Sequence, residues 1–479
     1  MTSTPALRRD ITRFGSAIAL TVALGAVQVL VLPHRLEVET FGQYRVLLVY
    51  FPYFGLLHFG LADGAFLRWA GRRPDEIHDE WRTTFAWLLG LEAGLLIIAV
   101  LAATAMTRPL GAIFVVSFVL CALFANVSTL AAYALQASGD FRRAGIVAVA
   151  APASFVAAVL VVPMHTLTAV IASYAGSLGF SAAIGSVMLA LRPAGASESN
   201  SESKTEPKSE PKSVSLAPIA LMRGGAHVLG ANLAAGLAQS IDKILVSVVA
   251  STASMALYGF ASSVAVAGIS ATQTMQRVAL SHAARRPEDD RARFLGRFYD
   301  LTLAAYGGAL LLVPLFEHIV ATRLPAYTAA LPIVRAFVAG APFWIALHVV
   351  VVGTLQSHGL ERRQFAVELG GAALVAILCG ACLAAHTPLW AVAAVASVAA
   401  AATWGAGVLV VNRAVSAAGA QGAGRFLLAC AWQIAACGIA IASGAAWGVQ
   451  AAMYAVLAGV PTLAALGRAR ASGERLVNS

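Results

Sequence analysis

The stretch that decides the fold is LQASGDFRR, residues 135–143, because its pattern returns as LQSHGLERR at residues 355–363. A second pair of segments, RRPDE at residues 72–76 and RRPED at residues 285–289, has nearly the same separation. Each of the four segments stands in a polar gap between long apolar runs. Two motif pairs with a common separation of about 213 to 220 positions indicate a duplicated bundle of membrane helices, an arrangement typical of transporters.

The composition is that of a membrane protein. Of the 479 residues, 59% are apolar and 12% are charged, and the mean hydropathy is +0.78. A soluble domain has about 45–50% apolar and about 25% charged residues. Apolar runs of about 20 residues, the length that crosses a hydrocarbon core of roughly 30 Å, follow one another almost without interruption. We therefore predict an all-α polytopic membrane protein with about fourteen transmembrane helices.

The predicted spans form two groups of six and a final pair. They run approximately over residues 14–32, 46–67, 83–105, 111–135, 144–162 and 167–191, then 225–249, 255–281, 298–318, 332–356, 365–385 and 389–412, and last 426–446 and 449–466. Pro52, Pro152 and Pro342 stand inside spans and are expected to kink them. Because six is an even number, the paired motifs fall on one side of the membrane. The two repeats are then parallel, and any substrate path is expected between them.

The domain boundaries follow the polar segments. Residues 194–218 are rich in Ser, Glu, Lys and Pro and predict a disordered cytoplasmic linker. It joins an N-terminal six-helix lobe (1–193) to a C-terminal six-helix lobe (219–413), and two additional helices with a cytoplasmic tail complete the chain (414–479). With both termini in the cytoplasm, roughly 27 of the 33 basic residues lie on the cytoplasmic side, as the positive-inside rule requires.

The seventh span carries a polar stripe. At 100° per residue, Asn232, Gln239 and Lys243 fall within about 20 to 40° of one another, and Asp242 lies on the flank. A charged side chain at depth costs about 2.5–3.5 kcal/mol on insertion scales and usually faces a cavity. The stripe therefore favours a wet, partly cationic lumen. The alternative is that Lys243 pairs with Asp242 or extends to the membrane surface.

Further polar side chains complete the candidate binding set. They are Gln273 and Arg277 in the eighth span, Arg68 at the end of the second and Gln28 in the first. The two arginines have an alternative interpretation as ordinary cytoplasmic anchors. His58 and His348 are interpreted as packed, hydrogen-bonded histidines of apolar helices.

Three acids are candidates for ion coupling, namely Asp63, Glu92 and Asp242. Glu92 lies near the middle of the third span, and Asp63 lies five residues before Arg68. Either carboxyl group could carry a coupling proton or bind a cation. Alternatively, Asp63 neutralises Arg68 and Glu92 makes a hydrogen bond to a neighbouring helix.

The sequence argues against other classes of function. The net charge of +10 is explained by the topological excess of basic residues and by attraction to anionic lipid, so we expect no nucleic-acid partner. The chain shows no catalytic His with an acid, no metal-binding carboxylate pair and no large extramembrane loop, which argues against a polytopic glycan-modifying enzyme. We expect no cofactor and no metal, and transport coupled to a proton or sodium gradient remains open.

Five short segments carry a family resemblance. FGQY (41–44), FGLADGAFLR (59–68), SIDKIL (240–245), LYG (257–259) and LQSHG (355–359) resemble, in order and spacing, the Wzx-type oligosaccharide flippases of polysaccharide biosynthesis. These proteins belong to the multidrug/oligosaccharidyl-lipid/polysaccharide (MOP) flippase superfamily. The likeness covers essentially the whole chain, and it implies two six-helix lobes in a V around a central, often cationic cavity.

The resemblance also implies a function. A Wzx-type protein moves undecaprenyl-diphosphate-linked oligosaccharide units across the bacterial inner membrane by alternating access, for O-antigen (lipopolysaccharide), capsule or exopolysaccharide. The polar stripe would then compensate the diphosphate. The implied partners are this lipid-linked glycan, membrane lipids and the polysaccharide polymerase or chain-length machinery. Two other branches of the superfamily remain alternatives, the MATE-like drug/cation antiporters and the flippases of peptidoglycan lipid precursors.

Overall fold

The computed structural model describes residues 4–69, 74–106, 109–191, 218–265, 294–415 and 422–477. Within these ranges the chain is helical and contains no strand. Ten of the described helices are long and apolar enough to cross a membrane, and the number is eleven when one bent pair counts as a single span. Each of the fourteen predicted spans overlaps a described helix. The prediction of an all-α polytopic membrane fold is confirmed.

The described helices follow one another with short breaks. In chain order they are α1 (Thr4–Arg35), α2 (Val38–Tyr50), a 3-10 helix (Phe51–His58), α3 (Leu61–Trp69), α4 (Pro74–Thr104), α5 (Pro109–Ala137), α6 (Phe141–Val161), α7 (Leu167–Ala190) and α8 (Pro218–Val249). They continue with α9 (252–265), α10 (Phe298–Leu310), α11 (Val313–Arg323), a 3-10 helix (Pro325–Ala330), α12 (Leu331–Ala346), a π-helix (Leu347–Val352), α13 (Gly353–Ser357), α14 (Glu361–Ala384), α15 (Leu389–Ala414), α16 (Ala423–Ala442) and α17 (Trp447–Val477).

The chain divides into two compact units. The first comprises Met1–Gln28 and Leu47–Gly236, and the second comprises Val29–Val46 and Leu237–Ser479. Helices α1, α2 and α8 each contribute residues to both units. Residues 194–217 of the predicted linker lie outside the described residues, and the predicted lobe boundaries at 193, 219 and 413 stay a prediction.

The first unit is built around α5, which packs against α4, α6 and α7. Its core combines large side chains such as Trp69 and Leu130 with small ones such as Ala131 and Ala134, all of them buried. Apolar helices gain little from burying further apolar surface in a bilayer, so close approach of small residues is what stabilises their packing.

The second predicted span is broken. Its halves, Val38–His58 and Leu61–Trp69, meet at 66°, and Pro52 lies in the first turn of the 3-10 helix that precedes the break. Phe59 and Gly60 have positive φ angles of 50° and 80°. The span that contains Pro52 is bent, but the bend lies at Phe59 and Gly60, so a kink at the proline itself stays a prediction.

The second half of that broken span, α3, crosses α8 at very close range. A Cβ atom on Gly225 of α8 would overlap the carbonyl oxygen of Gly60 and would lie 2.5 Å from the backbone nitrogen of Gly64. A Cβ atom on Gly64 would in turn overlap the carbonyl oxygen of Leu221. Glycine is therefore required on both helices, and the spacing of Gly60 and Gly64 is the small-xxx-small pattern of close helix crossings.

The duplicated LQxxGxxRR motif forms the same turn in both copies. Gly139, after α5, has φ 76°, and Gly359, after α13, has φ 67°. The carbonyl of Leu135 accepts a hydrogen bond from the Asp140 N–H at 2.8 Å, and the carbonyl of Leu355 accepts one from the Leu360 N–H at 2.9 Å. These are Schellman ends, in which glycine takes the left-handed position that terminates a helix. The sequence repeat is thus a repeat of local structure.

The second unit has an aromatic core. Tyr299, Phe343, Trp404 and Phe426 lie with ring centroids between 5.0 and 6.2 Å apart. Around them α12 packs against α15, and α17 packs against α10. This core fixes the positions of α12 and α15, which line the cavity described next.

Candidate functional site

A buried ion pair lies on α8 in the second unit. The ammonium Nζ of Lys243 lies 3.1 Å from Oδ1 of Asp242, and the side chains of the two residues are 13% and 5% exposed, respectively. The hydroxyl of Tyr258, on α9, donates to Oδ2 of the same carboxylate at 2.8 Å. Both oxygens of Asp242 therefore have a partner, as a carboxylate removed from water requires.

Lys243 has two further interactions. Its ammonium donates to the carbonyl oxygen of Gln239 at 2.6 Å and lies 5.8 Å from the centre of the Phe337 ring. A carboxylate, a carbonyl and an aromatic face together replace the water that the ammonium loses. The interpretation that Lys243 pairs with Asp242 is confirmed, and the pair as a whole is electrically neutral.

A second polar contact lies one turn earlier on the helix. The side-chain Nε2 of Gln239 lies 3.3 Å from Nε2 of His348, whose Nδ1 lies 2.9 Å from the carbonyl oxygen of Trp344. His348 belongs to the π-helix Leu347–Val352, a wide turn of a kind often found at functional sites. The histidine is packed and hydrogen-bonded, as expected from the sequence, and it contacts a residue of the predicted stripe.

These side chains surround a small cavity. It has a volume of about 40 Å³, enough for one water molecule, and its polar lining consists of Gln239, Asp242, Lys243, Ser262 and Ser397. Ser397 approaches closely because Gly340 faces it, where a Cβ atom would lie 2.6 Å from that of the serine. In this conformation, the cavity is lined by a lysine that is paired with a carboxylate and by hydroxyl and amide groups. It has no room for a diphosphate.

A separate polar group lies in the first unit beside the break between α2 and α3. The side-chain amide of Asn126 donates both to Oε1 of Glu92, at 2.5 Å, and to the carbonyl of Phe54 at 3.0 Å. Phe54 belongs to the 3-10 helix Phe51–His58, which lacks the regular hydrogen bonds of an α-helix. The Asn126 amide therefore supplies the hydrogen bond that the Phe54 carbonyl would receive within a regular helix. Glu92 is fully buried, and its Oε2 has no hydrogen-bond partner among the described residues. The expectation that Glu92 bonds a neighbouring helix is confirmed.

Asp63 and Arg68 do not pair with each other. Arg68 makes a two-pronged ion pair with Glu80 of α4, both distances being 3.0 Å, whereas Asp63 lies 3.8 Å from Nε2 of His58. Five residues along a helix correspond to about 140° of rotation, so the two side chains leave α3 in different directions. The interpretation that Asp63 neutralises Arg68 is wrong. The alternative role of Arg68 as a structural residue is favoured by this pairing.

The other predicted site residues are placed elsewhere. Gln28 belongs to the first unit, where its amide donates to the carbonyl of Pro152 at 3.4 Å. Asn232 also belongs to that unit, and its side chain is exposed. Gln273 and Arg277 lie outside the described residues. The cavity of the second unit therefore gathers Gln239, Asp242 and Lys243 from the predicted set.

Sequence reasoning missed several residues of these sites. Tyr258, Phe337 and Ser397 contact or line the lysine cavity. Tyr258 stands in the LYG segment that carries part of the family resemblance, whereas no local pattern distinguishes Phe337 and Ser397 from packing residues. Glu368 is different. It is a buried acid on α14 that accepts from Gln364 at 3.3 Å, and its Oε2 has no hydrogen-bond partner within the described residues. Glu92 was selected because a charged side chain deep in a membrane span usually faces a cavity. The same reasoning would also have selected Glu368.

Comparison with known proteins identifies the fold. No protein-family model and no curated protein sequence matches the chain. The solved structure of the lipid II flippase MurJ, in its inward closed conformation, matches with a TM-score of 0.68 at 11% identity, over 94% of this chain and 97% of that one. The chain has the fold of MurJ and the MATE transporters.

Two further structures show the same likeness over a smaller part of the chain. A MATE transporter in complex with MaL6 matches with a TM-score of 0.59 at 13% identity, over 85% of this chain and 96% of that one. A MOP superfamily transporter from Pyrococcus furiosus matches with a TM-score of 0.57 at 11% identity, with the same coverage. At such identities, the likeness establishes the fold and leaves function to the site itself.

Proposed function

We propose that the protein is a flippase for a lipid-linked oligosaccharide, carried on undecaprenyl diphosphate for surface polysaccharide synthesis. The observation that carries the proposal is the likeness to MurJ, a flippase of a lipid-linked precursor, over 94% of the chain. The MATE complex with MaL6 shares 85% of the chain at a lower TM-score. The five segments that resemble those of Wzx-type flippases favour an oligosaccharide over a peptidoglycan precursor.

Lys243 is the proposed anchor for the diphosphate. A substrate phosphate would take the place of Asp242 as the counterion, so the ammonium would keep a negative partner throughout the cycle. Gln239, Ser262 and Ser397 line the same cavity and offer amide and hydroxyl groups to sugar hydroxyls. Because the present cavity of about 40 Å³ is too small for a diphosphate, binding requires the walls of the second unit to separate.

Ion coupling is proposed at the buried acids. Asn126 links Glu92 to the carbonyl of Phe54, Asp63 lies 3.8 Å from His58 of the same 3-10 helix, and each acid is a buried carboxyl that could accept a proton or a sodium ion. Asp242 would act differently, because protonation of its carboxylate would release Lys243. Moving one charge through 100 mV contributes about 2.3 kcal/mol, which is sufficient to bias such an equilibrium.

The proposal includes a cellular setting. It assigns the chain to the bacterial inner membrane with both termini in the cytoplasm, where polysaccharide polymerase and chain-length proteins would use its product. No catalytic step is proposed, and the solved structures of similar fold are transporters or flippases.

A second candidate function is flipping of a peptidoglycan lipid precursor. The TM-score of 0.68 to MurJ favours it. The two candidates share a lipid diphosphate and differ in the glycan, so a structure of the empty protein does not separate them.

Complementation in two hosts separates the candidates. The chain is expressed in a strain that lacks its oligosaccharide flippase and in a strain depleted of MurJ, and Western blots establish equal protein levels. We expect surface polysaccharide to return in the first strain and growth to remain blocked in the second. If the MurJ-depleted strain grows and the first strain shows no surface polysaccharide, the second candidate function replaces the first.

A further inference from the structure

An open groove lies between α14 and α15 in the second unit. Its volume is about 590 Å³. Its floor is made of residues with little or no side chain, among them Gly370, Gly371, Ala402 and Ala406. The walls are aliphatic side chains such as Leu374 and Val410. A groove of this composition between two membrane-length helices is suited to a hydrocarbon chain.

Two arginines stand at one end of this groove. Arg363 lies in the first turn of α14 and Arg413 in the last turn of α15, and both line the groove. The two helices are consecutive and antiparallel, so the start of one lies beside the end of the other. Among the residues that the structure describes, neither arginine takes part in an ion pair. Two like charges at the mouth of an apolar groove call for an anion of matching geometry, and a phosphate group fits a guanidinium in a two-pronged manner.

The duplicated motif bears on Arg363, which has no ion-pair partner among the residues that the structure describes. In the first copy Arg143 lies 3.6 Å from Asp140, its own helix cap. The position of Asp140 is occupied in the second copy by Leu360. The second copy therefore lacks the capping acid, and its own acid, Glu361, stands one position later in the motif and makes no ion pair with Arg363 among the described residues.

A related groove occurs in the first unit. It has a volume of about 1120 Å³, lies between α1, α6 and α7, and is lined by Arg142 of the first motif copy together with Phe180 and Ile184. In both repeats an arginine of the LQxxGxxRR motif lies at an apolar groove, although Arg142 occupies the motif position of Arg362 and not that of Arg363.

We propose that the α14–α15 groove binds an anionic phospholipid. The head-group phosphate lies between Arg363 and Arg413, and one acyl chain lies along Gly370 and Ala402. Basic pockets between membrane helices are the usual sites for such head groups. A phospholipid satisfies both the charge and the apolar volume, whereas free phosphate would leave the groove unfilled. The site does not depend on the transport function proposed above.

The head-group contact is tested by lipid binding to the purified full-length protein. Native mass spectrometry measures bound dioleoyl-phosphatidylglycerol against dioleoyl-phosphatidylcholine, which has the same chains and no net charge. We expect a preference for phosphatidylglycerol that falls roughly fivefold per arginine removed, about 25-fold in Arg363→Gln/Arg413→Gln. Arg362→Gln is the matched control, because this arginine is adjacent in the motif and does not line the groove. It should lower the preference by less than about twofold.

The acyl-chain contact is tested by filling the groove. A Cβ atom on Gly370 meets no atom within 4 Å, and Gly370 lines the groove, so the side chain in Gly370→Leu is expected to occupy groove volume. Gly380 lies on the same helix, outside the groove, with equally open surroundings, and Gly380→Leu is the control. We expect Gly370→Leu to lose the tightly bound phosphatidylglycerol and Gly380→Leu to retain it. Equal binding of the two lipids by the unmodified protein, or unchanged binding in either groove variant, overturns the proposal. Competition by inorganic phosphate alone would assign the site to a free anion and would equally overturn it.

Discussion

The buried Asp242–Lys243 pair gives the sharpest prediction. Three variants form a cycle: Lys243→Met, which keeps most of the aliphatic chain, Asp242→Asn, which keeps an acceptor for Tyr258, and the double variant. Each single change leaves one charge in a cavity of about 40 Å³. The double change removes both charges and leaves the shape of the site nearly intact.

The magnitude follows from the geometry. Breaking a buried ion pair by removing one partner costs about 3–5 kcal/mol. Here we expect about 3 kcal/mol, the lower limit, because the cavity admits a water molecule and the remaining ion keeps a second partner, the Gln239 carbonyl or the Tyr258 hydroxyl. The double variant should cost less than either single variant. The coupling energy between the two sites is then larger than about 3 kcal/mol.

The assay combines stability with transport. The free energy of unfolding is measured for purified protein in mixed micelles by titration with dodecyl sulfate, followed by tryptophan fluorescence, and surface polysaccharide is measured in a flippase-deficient host. We expect the double variant to fold and to fail in transport, because the cationic anchor is absent. The energetic coupling would be refuted if each single variant lowered the free energy of unfolding by less than about 1 kcal/mol and the double variant lowered it by the sum of the two. Full transport by the double variant would show that the pair is structural.

Three further predictions test the fold and the topology. Gly225→Ala should destabilise the protein by about 1–3 kcal/mol, because the new methyl group overlaps α3. Gly224→Ala, where the new methyl group meets open space, should be neutral or stabilising by up to about 1 kcal/mol. Equal thermal stability of the two variants would contradict the close crossing of α3 and α8. Asn126→Ala should cost about 2–3 kcal/mol because it leaves two buried acceptors without a donor, and Glu92→Gln, which keeps the bond, should cost less than about 1 kcal/mol in the same melts. A single cysteine at Ser209 in a cysteine-free background should resist an impermeant reagent in intact cells, and ready labelling would overturn the predicted topology.

The helices were predictable because their signals are local. A run of about 20 apolar residues identifies a span, and a glycine after an apolar run identifies a helix end. The turns at Gly139 and Gly359 and the break at Gly60 are of this kind. Span ends were placed to within a few residues in most cases, for example 389–412 against Leu389–Ala414.

The lysine site was predictable along one helix and not across helices. Gln239, Asp242 and Lys243 share α8, so helical periodicity groups them. Tyr258, Phe337 and Ser397 reach the same cavity from other helices, and only the tertiary packing selects them from many similar residues. Asn232 lies on the same helical stripe, but it belongs to the first unit and is not among the residues that line this cavity.

The pairing of charges also depended on tertiary structure. The sequence offered Asp63 as a neighbour of Arg68, but the arginine bonds Glu80, which reaches it from the next helix. Sequence distance is a poor guide when two residues lie on different sides of one helix.

The most direct test of the proposed function is transport by the purified protein. The full chain is reconstituted into liposomes with a fluorescent oligosaccharide on undecaprenyl diphosphate, and the fraction protected from an impermeant quencher is followed over time, with Lys243→Glu reconstituted at the same density. We predict that the unmodified protein makes the label in the inner leaflet accessible and that Lys243→Glu, which places a negative charge beside the diphosphate, does not. The account would be contradicted if the unmodified protein left the same fraction of label protected from the quencher as empty liposomes do. Full activity of Lys243→Glu would also contradict it.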